Sequence, residues 1–197
     1  MEMNPEYVEI KNDLLKYIGV DTNREFPELD AMVLGESKFI RDTKFNLKTT
    51  LNSEHVNLKE SYLLALAVAV NQNNQILAEA FKKSAIAQGA TEKEIGETHA
   101  CTSLLSVNNV FYRFRHFAQN KSYEQMQARL KMTLMMNPVL GKEFFELMSL
   151  VISAVNGCEM CVNAHENSLR GMGTTQERIF DAIRLGAVVR GLTAIVY

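Results

Sequence analysis

The chain has 197 residues, a length that fits one domain or two small halves and needs no metal or disulfide staple to bury a core. Lys and Arg number 21 against 23 Asp and Glu, so the net charge of −2 excludes the basic excess of a typical nucleic-acid binder. An apolar fraction of 47% excludes disorder, and three cysteines are too few for a secreted disulfide scaffold.

Helical signals run along the chain. Tyr7, Val8, Ile10, Leu14, Leu15 and Ile18 recur at helix spacing, and Asn23 to Phe45 carries a looser pattern opened by Pro27. Lys48 to Val56 is polar and reads as a loop. Leu58 to Ala87 is helical in composition, broken at Asn71-Gln72-Asn73-Asn74 and stopped by Gly89. Thr91 with Glu94 predicts a capping box, opening a helix that reaches about Phe117. Residues 121–136 predict a further helix, and Asn137-Pro138 a turn. Phe144 to Val155, Cys158 to Met172 and Thr175 to Val196 complete the set, separated by Asn156-Gly157 and Gly173. No strand pattern competes, so the fold class is all-α. The N-terminus lacks an apolar leader, and the longest apolar run, Leu63 to Val70, is far too short to span a bilayer. The expectation is a soluble, cytoplasmic protein.

A repeat is legible at an offset of 84 residues. Leu63, Leu66, Ala80, Ser84, Gly89, Thr91 and Ile95 match Leu147, Leu150, Ala164, Ser168, Gly173, Thr175 and Ile179. The expected organisation is a single domain: N-terminal helices over 1–55, a degenerate first repeat over 56–118 and a second repeat over 138–197. Only the second copy keeps ionisable chemistry, because Glu146, Cys158, Cys161 and His165 correspond to Tyr62, Asn74, Leu77 and Phe81.

The stretch from Asn156 to His165 has the form C-x-x-C-x-x-x-H at the start of a helix. At about 100° per residue, Cys158, Cys161 and His165 fall within about 60° of arc. Cys161 and His165 are one turn apart and therefore neighbours. A thiol with an ordinary pKa is only slightly ionised at neutral pH, so a nucleophilic cysteine needs a base such as this histidine. A carboxylate can orient that histidine, and Glu146, a charge among Phe144, Phe145, Leu147 and Met148, is the candidate. The second cysteine permits a two-electron cycle through sulfenic acid and disulfide. Two other readings fit the same residues. One is a zinc site on Cys158, Cys161 and His165, with His99 or Cys101 supplying a fourth ligand. The other is inert buried thiols. The run Phe111 to Phe117 mixes basic and aromatic residues but reads better as a helix packing its rings into a core or a subunit interface.

The chain resembles the AhpD alkylhydroperoxidase family, within the carboxymuconolactone decarboxylase-like superfamily. The likeness rests on Asn108 to Arg113, Asn137-Pro138, Phe145-Glu146-Leu147 and Ser153 to Arg170. It implies two related helical halves assembled as a homotrimer, and an antioxidant peroxidase that reduces alkyl hydroperoxides through a redox-active CxxC disulfide. It implies Cys161 as the peroxidatic thiol, Cys158 as proton donor and disulfide partner, and His165 and Glu146 as the proton relay. It implies no bound cofactor or metal, with dihydrolipoamide on a partner protein as electron donor and an AhpC peroxiredoxin as a further partner. Family members carry a second histidine just before the second cysteine, where this chain has Met160. The relay is then shorter or uses water, because a thioether carries no proton. The rival expectations are a general disulfide oxidoreductase without peroxide specificity and a zinc-holding helical binding module.

Overall fold

Asn57, Asn74, Thr91 and Thr175 each open a helix by accepting a backbone N–H at its first turn, whereas the helices that follow Gly141 and Cys158 have no side-chain cap. A computed structural model describes residues 3–197, and among them there is no strand. Three helices come first: α1 (Pro5–Ile18), α2 (Pro27–Leu34) and α3 (Phe39–Leu51). The first half then has α4 (Leu58–Asn71), α5 (Gln75–Ala87) and α6 (Glu92–Ala118). A short helix, α7 (Lys121–Gln125), and a 3-10 turn (Thr133–Met135) lie in the connection. The second half has α8 (Lys142–Val155), α9 (Glu159–Gly171) and α10 (Gln176–Leu192).

The offset of 84 holds to the residue. It relates both ends of α4 to both ends of α8, both ends of α5 to those of α9, and the start of α6 to the start of α10. The junctions correspond as well. The turn after α4 takes Asn73 to φ 56°, and the turn after α8 takes Gly157 to φ 68°. In both, the next two amides reach back to the last helical turn: Asn73 N to Val70 O and Asn74 N to Ala69 O, then Gly157 N to Ala154 O and Cys158 N to Ser153 O. Thr91 and Thr175 cap the third helices, each accepting a backbone N–H three residues on. The fold is therefore all-α and built from two related helical halves.

Packing follows composition. Leu63 to Ala69 of α4 are all fully buried, as expected of a helix apolar on every side, and α4 touches α5, α6, α8 and α10. Its counterpart α8 is equally enclosed, buried from Phe144 to Ser153 and packed on α4, α6, α9 and α10. The N-terminal helices cover this core: α3 lies on α10, and α1 on α3 and α5.

Four element readings differ from the sequence expectation. The pattern over 23–45 divides into α2 and the start of α3, with a break after Gly35. The segment read as a loop from Lys48 belongs to α3 as far as Leu51, because Leu47, Thr50 and Leu51 are buried. Residues 121–136 are not one helix. There Arg115 binds the carbonyls of Tyr123, Glu124 and Met126, so α6 takes backbone groups that a helix would have paired internally. The final helix stops at Leu192, and Asn74 Nδ2 donates to the carbonyls of Thr193 and Val196 beyond it.

Candidate active site

The site forms where α9 leaves the turn at the end of α8. Gly157 allows the left-handed backbone that reverses the chain there. Cys158 takes the N-cap position of α9, the place where Asn74 caps α5 by accepting the N–H of Leu77. Cys161 lies in the first turn, and Cys158 and Cys161 are joined by a disulfide with Cα atoms 5.3 Å apart. Both sulfurs sit in buried residues, at 1% and 6% exposure.

One turn further along α9, His165 is buried against α8. Its Nδ1 lies 2.6 Å from Glu146 Oε2, and each residue is 8% exposed. An ionised carboxylate only accepts hydrogen bonds, so Nδ1 donates and Nε2 keeps its lone pair. Cys161 and His165 line a common cavity of about 220 Å³ with Asn108, Tyr112, Met132, Met135, Met160 and Ala164. The structure thus brings Cys158, Cys161, His165 and Glu146 together. Met160 is part of the cavity wall.

A polar network that the sequence reading missed holds the turn in place. Asn71 and Asn109 both bond the side chain of Asn156, at 2.8 Å each, and Asn109 Nδ2 also donates to Ser153 Oγ. Arg113 donates to the carbonyl of Asn156 at 2.7 Å. Asn109 and Arg113 stand in the Asn108–Arg113 motif, which was the available signal. Asn71 read only as part of a helix break.

Below the site, Glu97 of α6 accepts the N–H groups of Val139 and Leu140, fixing the entry to α8. Cys101 is buried with its sulfur 3.7 Å from Ser149 Oγ. Burial pushes its thiol up to about 12, and the charges of Glu97 and Glu146 push the same way, against the Ser149 hydrogen bond. His99 is exposed on the same helix. Cys101 and His99 thus lie on α6, one buried and the other exposed, and among the described residues no three His, Cys, Asp or Glu side chains are grouped to hold a metal.

A helical fold in two related halves, with a CxxC pair at a helix start beside a buried Glu–His pair, defines the class. The model of the carboxymuconolactone decarboxylase family matches residues 122–197. Over the longer chain, the alkyl hydroperoxide reductase AhpD of Azorhizobium caulinodans is 36% identical, covering 82% of this chain and 88% of its own. AhpD of Methylocella silvestris is 38% identical over 77% of this chain and 85% of its own. A crystal structure described as a gamma-carboxymuconolactone decarboxylase subunit from Burkholderia xenovorans superposes with a TM-score of 0.67. It covers 95% of this chain and 93% of its own at 15% identity, which speaks to the fold alone. The chain belongs to the AhpD family. Among the described residues no helix is long and apolar enough to cross a membrane.

Proposed function

We propose that this protein is an alkyl hydroperoxide reductase working through Cys161 and Cys158. The observation that carries the reading is the shared cavity: Cys161 lines it beside His165, His165 is held by Glu146, and Cys158 is already the disulfide partner. The names of the AhpD relatives support the same reaction class.

The chemistry follows from the geometry. In the reduced protein His165 Nε2 takes the proton of Cys161, and Glu146 stabilises the imidazolium. The Cys161 thiolate attacks the terminal oxygen of the hydroperoxide. An S–O bond forms, the O–O bond breaks, and the alkoxide leaves with the electron pair. Cys158 gives it a proton, yielding the alcohol. The new Cys158 thiolate sits at an N-cap, where the unpaired N–H groups of α9 favour negative charge. It then attacks the Cys161 sulfenic acid. The disulfide forms, and hydroxide leaves as water with the proton held by His165. Two electrons have passed from the thiols to the peroxide.

The disulfide must be reopened by a dithiol. Dihydrolipoamide on a partner protein is the proposed donor, and an AhpC peroxiredoxin the proposed further partner. No resident cofactor or metal is required by this cycle, and the reducing compartment it needs is the cytoplasm. The chain is read as one domain, with the second repeat over 138–197 carrying the site. A homotrimer, or another homo-oligomer, is supported by Val107, Val110, Phe114 and Phe117 on α6, all at least half exposed.

The test is peroxide turnover with a dithiol donor. Cys161→Ser is expected to abolish it. Full turnover by that variant would refute the reading. Activity on protein dithiols alone, with no reaction toward hydroperoxides, would instead identify a general disulfide oxidoreductase.

A further inference from the structure

We propose that the carboxamide of Asn108 is a substrate-binding group, donating its Nδ2–H to the hydroperoxide oxygen that leaves as alkoxide. The proposal rests on the hydroperoxide reductase reading and adds a residue to it.

Asn108 is buried on α6 and lines the same cavity as Cys161 and His165. Buried carboxamides are normally satisfied at both ends, as its neighbour Asn109 is by Ser153 and Asn156. Asn108 is not. Among the described residues its Oδ1 has no partner, and its Nδ2 reaches the thioether sulfur of Met132 at 3.5 Å. A thioether is a weak acceptor. A peroxide oxygen, and still more a developing alkoxide, is a stronger one. A polar group left this poorly paired beside an open cavity fits a site completed by its ligand.

The remaining cavity wall explains why this amide matters. Met132, Met135, Met160 and Ala164 are apolar and offer no donor to an oxygen, so Asn108 and the phenol of Tyr112 are the polar groups of the wall besides Cys161 and His165. Water is a poor substitute in so apolar a site, so an amide N–H gains strength there. At about 220 Å³ the cavity is smaller than the roughly 300–1,000 Å³ of drug-sized ligand sites. It suits a hydroperoxide with a compact organic group, its carbon chain against the methionines and its oxygens between Cys161 and Asn108.

In the step itself, Cys161 Sγ bonds the terminal oxygen and the O–O electron pair moves to the alkyl oxygen. The Nδ2–H of Asn108 stabilises that charge until Cys158 delivers its proton. The amide neither gains nor loses a proton.

The experiment compares reduced wild-type protein with Asn108→Leu, which keeps the shape and removes both polar ends. Two rates are followed: disulfide formation by tert-butyl hydroperoxide, and alkylation of Cys161 by iodoacetamide at the same pH. The wild type is expected to react with the peroxide, and the variant at least about 10²-fold more slowly, as for the loss of one oxyanion donor. Alkylation should stay within twofold, because it reads thiolate formation by His165 and needs no oxygen held in place. Asn108→Ala carries the same expectation should the leucine variant not fold. Peroxide rates within threefold of wild type would overturn the role of Asn108 and leave the reductase reading standing. Equal losses in both rates would also overturn it, by marking Asn108 as a scaffold of the thiol. A wild-type protein inert to peroxide would overturn both.

Discussion

His165 Nδ1 and Glu146 Oε2 lie 2.6 Å apart in a buried pair that joins α9 to α8. In the proposed cycle the carboxylate sets the tautomer of the imidazole and leaves Nε2 to act on Cys161. His165→Asn should lower the rate of peroxide-driven disulfide formation by about 10²–10⁴-fold, the usual worth of a positioned general base. Glu146→Gln should also slow it, because a carboxamide can accept from or donate to Nδ1 and no longer enforces one tautomer. Stopped-flow oxidation of the reduced variants measures both. A Glu146→Gln variant as fast as wild type would leave His165 acting alone.

Cys101 should be a spectator. Its thiol, pushed up to about 12 by burial, stays protonated at neutral pH and is closed off from solvent. Iodoacetamide on the reduced, folded protein should modify at most two thiols, with the third appearing only on unfolding. Cys101→Ala should keep peroxide turnover and lose a little stability from the small void. Alkylation of Cys101 in the folded state, read by peptide mapping, would contradict this.

How far the sequence reached is best seen at the two copies of one position. Lys59 and Glu143 are 84 residues apart, at the second residue of α4 and of α8. Each pairs with the third residue of its own half's third helix: Lys59 with Glu94 at 2.8 Å, Glu143 with Arg178 at 2.9 Å. The pair is kept and its charges are reversed. An identity count misses such a match, whereas the caps Thr91 and Thr175 are legible because both copies need the same oxygen. The CxxC and His165 were legible for a similar reason, since helix geometry alone puts them on one face. The roles of Asn71 and Glu97 were not, and Asn108 was legible only as the opening residue of its motif. Their roles depend on which helix end or cavity lies opposite, and that is set by tertiary packing. The same cause explains residues 121–136, where Arg115 takes backbone carbonyls that a local pattern assigns to a helix.

Arg178 is the charge that ties both halves together. It bonds Glu60 and Glu143 at 2.9 Å each and donates to the carbonyl of His55. Arg178→Ala should destabilise the fold by roughly 1–2 kcal/mol, the low end for charge-assisted bonds because Glu143 is partly in water. Denaturant unfolding measures it. Burial raises the Glu143 carboxyl, but the hydrogen bond and charge of Arg178 outweigh it and hold the group below its ordinary value. Its stabilising contribution is therefore present above about pH 4.5 and lost as pH falls through the lowered folded value.

His55 works in the opposite sense. The hydrogen bond from Nδ1 to Asp181, at 2.9 Å, raises its pKa, with burial opposing and the charges of Asp181, Glu54 and Glu177 assisting. Because the folded value is raised, the stabilisation is fully present below about pH 6.5 and is lost as pH rises above that through the higher folded value. His55→Ala should lower Tm more at pH 6 than at pH 9. Equal losses at the two pH values would show that the pair does not titrate in this range.

The central claim is that Cys161 and Cys158 exchange two electrons with an organic hydroperoxide. The most direct measurement is a thiol count before and after one equivalent of alkyl hydroperoxide, on reduced protein checked for metal. Rapid loss of two thiols is expected, with Cys158 and Cys161 linked in the peptide map and Cys101 still free. Three unreactive thiols in folded, metal-free protein would contradict it.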